Sequence, residues 1–448
     1  MALLDSVITL LSSIESDKIA VHDERCVVMR NRNAQCLRCV AACTTGALAQ
    51  EGGELIVRPE RCIGCGTCAA ACPTSAIEVR TPTDAELTSA LKRSLVVTEG
   101  HPIVVCERAA EACRTRLARG ASLAGWRGAL GLTAKDAPVL DEDAIVEVPC
   151  LGRVDESLIA AMAAYGAQDG TLMCHGCEGC GRETGGVQAF DVMESAENLL
   201  AAFGRDFTVE MVEAMPERAI VAPGDTYRAR REAAAKGAGT EAAPAAAAAA
   251  PEKNAPADPE RRALFSQAKD TAASLAGDTV LDTLGLSAEP APEPVRPRYR
   301  KVNADGTLSR FVPTRRTLLY NYLNRLGEPA SDEVTNRIIG HIDIDTEACT
   351  SCRMCAVFCP TGALDRAEDG DFWGLVHRPA ACVQCRSCES LCPAHAITVS
   401  DTVPMDQFMG REAVLYAMEK PTWEANKPDS MYNKVHRIIG EDLEMCMF

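Results

Sequence analysis

Sixteen of this chain's 23 cysteines repeat one pattern four times, and that repetition limits the possible folds more than any other feature. The runs are Cys26-x9-Cys36-x2-Cys39-x3-Cys43, Cys62-x2-Cys65-x2-Cys68-x3-Cys72-Pro73, Cys349-x2-Cys352-x2-Cys355-x3-Cys359-Pro360 and Cys382-x2-Cys385-x2-Cys388-x3-Cys392-Pro393. Cysteine-rich disulfide frameworks are usually small and secreted, whereas this chain has 448 residues. Its first 20 residues lack a basic leader region, and Asp5 interrupts their apolar stretch, which argues against a secretory signal. Zinc sites use cysteines as two pairs; triplets closed by Cys-Pro suit a larger body with more corners to hold.

Three of the four runs resemble the ligand run of two-cluster bacterial ferredoxins, over about 55 residues in each half of the chain. The resemblance is tightest at residues 62–73, 349–360 and 382–393. It implies two α+β ferredoxin-like modules binding up to four [4Fe-4S] clusters. In that family the fourth cysteine of a run ligates the other cluster. Carried over, one quartet is Cys62, Cys65, Cys68 and Cys43, and its neighbour is Cys26, Cys36, Cys39 and Cys72. The second module implies Cys349, Cys352, Cys355 with Cys392, and Cys382, Cys385, Cys388 with Cys359. The first run departs from the pattern. The insertion VVMRNRNAQ separates Cys26 from Cys36, and Thr44 stands where proline is usual. An intact cubane is expected there, a three-iron cluster or none being the alternatives, with Arg30 and Arg32 of the insertion in solvent.

Hydrophobic residues make up 47% of the chain and aromatics only 4%, so its cores are small or lean on other supports. Bound clusters can supply that support, because metal binding adds to folding free energy. A net charge of −17 speaks against nucleic-acid binding and suits solubility or docking on basic partner surfaces. No run of about 18 apolar residues indicates a transmembrane helix. The expected compartment is the reducing cytoplasm. Arg315-Arg316 reads as the start of an ordinary helix.

Five regions follow from composition and periodicity. Residues 1–85 hold a helix (Leu3, Leu4, Val7, Ile8, Leu11 and Ile14 on one face) and the first module. Residues 95–227 form a central α/β domain, with strands near 103–105 and 144–146 and helices near 156–165 and 190–203. Residues 228–300 read as a flexible Ala/Pro-rich tether with a possible helix at 261–286. Residues 301–400 hold a helical lead-in at 313–340 and the second module. The tail, 401–448, wraps a neighbour or the module itself.

The central domain carries Cys106, Cys113, Cys150, Cys174, Cys177 and Cys180 as candidate metal ligands. The stretch from Cys150-Leu151-Gly152-Arg153-Val154-Asp155 to Cys174-His175-Gly176-Cys177-x2-Cys180 resembles the delta subunit of methyl-viologen-reducing hydrogenase, across about 100 residues. That resemblance implies a [2Fe-2S] cluster on these cysteines, although Cys106 and Cys113 are spaced more widely than the family's front pair. A vestigial domain with buried free thiols is the alternative. His175 reads as a polar neighbour, and Cys446 fits no pattern.

Neither GxGxxG opening a helix nor GxxxxGK[ST] is present, and the seven histidines are scattered singly. The chain is thus expected to conduct electrons between partners rather than to catalyse. The resemblances imply a hydrogenase, formate dehydrogenase or heterodisulfide-reductase-type complex as the catalytic partner. A catalytic central cluster acting on a sulfur species and a redox-sensing or assembly protein are the alternatives.

Overall fold

The computed structural model describes residues 18–31, 33–51, 54–128, 137–237, 303 and 307–420. The chain divides into two units, Met1–Ala233 with Arg300–Phe448, and Ala234–Tyr299. Everything below belongs to the first, apart from the end of one helix.

The first module opens with strand β1 (Ile19–Val21). A hairpin of β2 (Leu48–Glu51) and β3 (Glu54–Val57) follows, then β4 (Ile77–Val79). β1 pairs antiparallel with β4, Ile19 opposite Val79, and β2 with β3, Leu48 opposite Val57. Ile19, Leu48 and Ile77 are fully enclosed, each contributing roughly 2 kcal/mol by burial. Few other aliphatic side chains are available, as the low aromatic content anticipates.

Helix α1 (Asp84–Val97) leads into the central domain. Thr83 caps it with a reciprocal box: the Glu86 N–H donates to Thr83 Oγ1 at 3.2 Å, and the Thr83 N–H donates to Glu86 Oε2 at 2.7 Å. Next come β5 (Ile103–Cys106), α2 (Glu107–Gly128), β6 (Val139–Leu140), β7 (Ile145–Val148), α3 (Glu156–Ala164), β8 (Gly170–Met173), α4 (Glu183–Ala201), β9 (Val209–Val212) and β10 (Ile220–Val221). Four of these strands form a parallel sheet in the order β7-β5-β8-β9. β5 and β8 are buried throughout and β7 at three of its four residues, whereas only Val209 of β9 is buried. The α/β expectation holds here, and α4 begins seven residues before the helix expected at 190.

Helix α5 (Tyr227–Gly237) occupies the start of the expected tether. Its arginines, glutamate, alanines and lysine are strong helix formers, and that local propensity prevails as far as Gly237. The rest of the tether lies outside the described residues, as do residues 1–17 of the helix expected over 1–20, the expected helix at 261–286, Arg32 and Cys446; Ile19 and Ala20 belong to β1.

Helix α6 (Thr314–Leu326) is much shorter than the expected 313–340. It stops at Gly327, whose φ of 105° no helix can continue. β11 (Glu333–Thr335) takes over. The second module then repeats the first: β12 (His341–Ile344), a hairpin of β13 (Leu364–Asp369) and β14 (Phe372–His377), and β15 (Ile397–Ser400). β12 pairs with β15 as β1 does with β4. The Arg378 N–H donates to the Ala363 carbonyl at 2.8 Å, matching Arg58 to Ala47 at 2.8 Å. Beyond residue 400 the chain folds back on itself. β16 (Thr402–Pro404) pairs with β11, and β17 (Val414–Ala417) joins β14.

α6 packs along α3, and Leu319, Leu323, Val403 and Phe408 enter the same apolar core as Ile159, Leu172 and Leu199 of the central domain. Both modules and the central domain therefore share one compact unit.

Candidate functional site

Three cysteine runs share one backbone device. The residues immediately before and after the second cysteine are left-handed: Gly64 (φ 69°) and Gly66 (φ 81°), Ser351 (54°) and Arg353 (52°), Gln384 (52°) and Arg386 (58°). This curls the loop so that its thiols face inward. For the four non-glycine residues the conformation costs of order 1 kcal/mol each, so something must hold it in place. The third cysteine then falls on a short helix: Thr67–Ala71, Met354–Phe358 or Ser387–Leu391. The first run differs. Its insertion forms a helical turn, Val27–Arg30, and Leu37 keeps an ordinary φ of −116°. Arg30 is not in solvent: it is 3% exposed and donates to the Glu24 carbonyl at 2.7 Å and the Ser309 carbonyl at 2.5 Å.

The buried thiols act on one another in sets that cross between neighbouring runs. Burial raises Cys39 most, and the sulfurs that raise it further are Cys72, Cys26 and Cys36, then Cys68. For Cys68, after burial, they are Cys65, Cys43 and Cys62. Cys355 is raised by burial, then by Cys352, Cys349 and Cys392. Cys388 is raised by burial, then by Cys385, Cys382 and Cys359, with Cys355 last. Burial likewise pushes Cys26 and Cys382 up to about 11. So many crowded thiols cannot all ionise unless a cationic body sits among them.

Iron–sulfur clusters fit this donor set. Among the described residues all 22 cysteines are free. The fourth cysteine of several runs also accepts a backbone hydrogen bond at sulfur. Ala76 N–H donates to Cys72 at 3.2 Å, Leu364 N–H to Cys359 at 3.4 Å and Ala396 N–H to Cys392 at 3.4 Å. Such bonds favour thiolate sulfur and tune cluster potentials. Burial alone would raise Cys43, but bonds from the Thr45 hydroxyl and from the backbone of Leu48, Ala47 and Thr45 leave it lowered. Among the described residues no three His, Cys, Asp or Glu side chains close around one point as a lone ion would need.

In the central domain Cys106 ends β5, Cys174 follows β8 directly, and Cys150 lies two residues beyond β7. Three thiols thus stand at the carboxyl ends of three adjacent parallel strands, where open α/β sheets place their ligands. Cys177 and Cys180 come from the next loop, shaped by left-handed Gly176, Gly179 and Gly181. Burial pushes Cys177 up to about 12, reinforced by Cys174, Cys150 and Cys180. Cys106 is raised by burial, then by Cys174 and Cys180 among other thiols. Arg108 Nη1 donates to the Cys180 sulfur at 2.8 Å. Cys106, Cys150, Cys174, Cys177 and Cys180 thus lie at one end of the sheet and act on one another, while Cys113 sits further along α2. His175 is exposed beside them.

A hollow of about 460 Å³ opens beside this group, lined by Cys174, Cys177, Glu178, Glu183, Phe190 and Glu213 among others. Val187 and Phe190, 65% and 57% exposed, form an apolar pair on α4 at its edge.

The sequence reading missed the arginines that join the parts. Arg315 Nη2 donates to the Ala69 carbonyl at 2.6 Å and to Ser75 Oγ at 3.0 Å in the first module, while its Nη1 reaches Asp155 of the central domain at 3.2 Å. Burial alone would raise the Asp155 carboxyl, but Arg315 and Arg153 hold it below its usual range. The next residue, Arg316, is 5% exposed and donates to the carbonyls of Cys382 (2.6 Å), Ala380 (3.0 Å) and Pro379 (3.1 Å) in the second module. Adjacent side chains on one helix thus clasp different modules.

Comparison with known families agrees with this geometry. Residues 55–78 match the family of 4Fe-4S binding domains, and residues 348–396 match that of 4Fe-4S dicluster domains. The first cysteine run and the central domain lie outside both matches. No curated protein matches the chain. Among the described residues no helix is long and apolar enough to cross a membrane. The chain carries ferredoxin-type 4Fe-4S domains in both of its halves, and these support an iron–sulfur electron-transfer role.

Proposed function

We propose that this chain is an electron-transfer subunit that relays single electrons between a catalytic oxidoreductase and an acceptor. The observation that carries the reading is the presence of 4Fe-4S domains in both halves of one compact unit, supported by buried thiols that act on one another across runs. Cys26, Cys36, Cys39 and Cys72 would hold one [4Fe-4S] cluster, and Cys43, Cys62, Cys65 and Cys68 a second. Cys349, Cys352, Cys355 and Cys392 would hold a third, and Cys359, Cys382, Cys385 and Cys388 a fourth. Four of Cys106, Cys150, Cys174, Cys177 and Cys180 would hold the central centre, a [2Fe-2S] cluster by the resemblance noted above. Bound there, the clusters supply one-electron redox chemistry; the protein supplies fixed spacing, hydrogen bonds to sulfur and exclusion of water.

The catalytic partner, on the same resemblance, is a hydrogenase, formate dehydrogenase or heterodisulfide-reductase-type enzyme. The hollow beside Cys177 suits such docking, because Val187 and Phe190 offer apolar contact and Glu178, Glu183 and Glu213 an acidic rim for a basic partner. Iron and acid-labile sulfide content, with EPR of the anaerobically purified and dithionite-reduced protein, tests the relay. About sixteen irons in cubanes plus a central signal are expected; zinc in their place would end the reading.

A second reading rests on the same hollow. Five thiols share one end of the sheet and a cluster uses four, so the central site could act on a sulfur substrate. Cys177→Ser would then abolish a reaction driven by artificial donors, and the absence of any such reaction in the parent protein rules this out.

A further inference from the structure

The crossed quartets are arranged in a fixed succession. Cys150 lies within electrostatic reach of Cys65, joining the central thiols to the quartet of Cys62, Cys65, Cys68 and Cys43. Gly152 and Gly185 make the approach possible. A Cβ on Gly152 would overlap Thr67 Oγ1, and one on Gly185 would overlap the Cys150 sulfur. Thr184 Oγ1 also donates to the Ala42 carbonyl at 2.8 Å, next to Cys43. Within the first module the short helices Arg38–Ala41 and Thr67–Ala71, which carry Cys39 and Cys68, pack on each other and bring this quartet to that of Cys26, Cys36, Cys39 and Cys72. Within the second, Met354–Phe358 and Ser387–Leu391, which carry Cys355 and Cys388, do the same.

The remaining step crosses between the modules. Arg38 lies in the loop between Cys36 and Cys39, and Gln384 in the loop between Cys382 and Cys385. Arg38 Nη2 donates to the Gln384 carbonyl at 3.2 Å. Cys36 and Cys385 line one crevice together with Gln35, Leu37, Arg386 and Ser390. The two ligand loops therefore face each other directly, joined by a charge-assisted hydrogen bond.

We propose that Arg38 is the positioning residue of the electron hand-off between the two modules. Its guanidinium holds the Cys36–Cys39 loop against the Cys382–Cys385 loop and so completes a single line of five thiol sites. The line starts at the central domain, passes through the quartets of Cys62 and Cys26, crosses at Arg38–Gln384, and ends through the quartet of Cys382 at that of Cys349. This inference rests on the relay reading and adds the order and the crossing. One electron moves per step: the site that gives it is oxidised, the next site is reduced, and Arg38 itself neither gains nor loses an electron.

The test compares the full-length parent with Arg38→Ala, Arg38→Lys and Gln35→Trp, the last wedging the crevice from an exposed position. Each protein is purified anaerobically and its iron content measured. After pulsed photoreduction, EPR then follows how electrons distribute between the modules. Iron content should match across all four. Redistribution between modules should slow about tenfold or more in Arg38→Ala and Gln35→Trp, because loosening by ångströms is costly wherever fixed centres must be held at a set separation. Arg38→Lys should recover part of the rate by keeping a cationic donor. Spin coupling between the modules should weaken in the same order. If iron is retained and both rate and coupling stay at the parent's values in Arg38→Ala and Gln35→Trp, the hand-off is wrong while the relay stands. If the parent itself carries no iron, the relay reading fails, and this inference with it.

Discussion

A buried histidine, His377, gives the second module a sensitivity to acid that is absent at the matching position, Val57, of the first. It lies at the end of β14, opposite Leu364, is 0% exposed, and neither ring nitrogen has a hydrogen-bond partner among the described residues. Burial, helped by the nearby His341, lowers it from 6.5 to about 3. The imidazole is thus neutral in the folded protein, whereas an unfolded chain takes up a proton below its ordinary value. Stability is unaffected well above pH 6.5 and falls as the pH drops from there towards 3, where the unfolded state binds the extra proton. At pH 5 the gap is about 1.5 pH units, worth about 2 kcal/mol. With an m-value of about 3 kcal/mol per molar, that shifts a urea midpoint by about 0.7 M.

The first module supplies the control substitution. Val57, opposite Leu48, is the counterpart of His377 opposite Leu364, and each is followed by Arg-Pro. His377→Val copies the first module's solution. Acid lability of bound clusters is common to parent and variant, so the difference between their urea midpoints, measured anaerobically from pH 8 to pH 5, isolates the histidine. The parent should lose about 2 kcal/mol more than His377→Val across that range. Parallel pH profiles for the two proteins would refute the reasoning.

Three further outcomes are expected. Cys72→Ala should remove about four irons per chain from the Cys26 quartet and leave the Cys62 quartet's EPR signal, while Cys43→Ala does the reverse; loss of the signal from each cysteine's own run instead would mean the quartets are not crossed. Gly152→Ala should destabilise by about 1–3 kcal/mol, because its Cβ would stand 2.7 Å from Gly185 Cα in a packed seam, and an unchanged urea midpoint would show that the seam yields. Asp155→Asn should cost about 2 kcal/mol at neutral pH through loss of the Arg315 pair. Since the Asp155 carboxyl is held low in the folded state, its contribution is present above the ordinary value near 3.9 and disappears as pH falls through the lowered one; a deficit that persists undiminished in acid would contradict that assignment.

The parts of the molecule legible in its sequence are those built from neighbouring residues. A cysteine run spans about a dozen positions, so its spacing exposes the loop that must form. The buried runs Ile103-Val104-Val105 and Ile145-Val146 announce strands for the same reason. Gly327 and Pro329 are a stop signal that ends α6 well short of 340, and the helix formers of 228–236 outweigh the tether-like composition that follows them. Ser351, Arg353, Gln384 and Arg386 could not be read as left-handed, since only the second run shows glycine there. Their conformation is imposed by the loop rather than preferred by the residue.

The joins between modules were not legible, and the reason is physical. Arg38 and Gln384 are 346 positions apart, and Arg315 is 246 from Ala69. At Gln384 and Ala69 these arginines bond main-chain carbonyls, which every residue possesses, so no complementary side chain marks those partners in the sequence. A carboxylate partner would have left a trace in the charge pattern; a carbonyl leaves none. The same property makes such a join suitable for a relay. At Arg38–Gln384 the bond itself adds no fixed anion beside a reducible centre, where one would oppose the arriving electron. The acidic residues that give the chain its charge of −17 are instead found at places such as the rim near Cys177, where a partner can meet them. Where a carboxylate does enter a crossing, as Asp155 does beside Arg315 and Glu389 beside Arg386, a guanidinium offsets its charge.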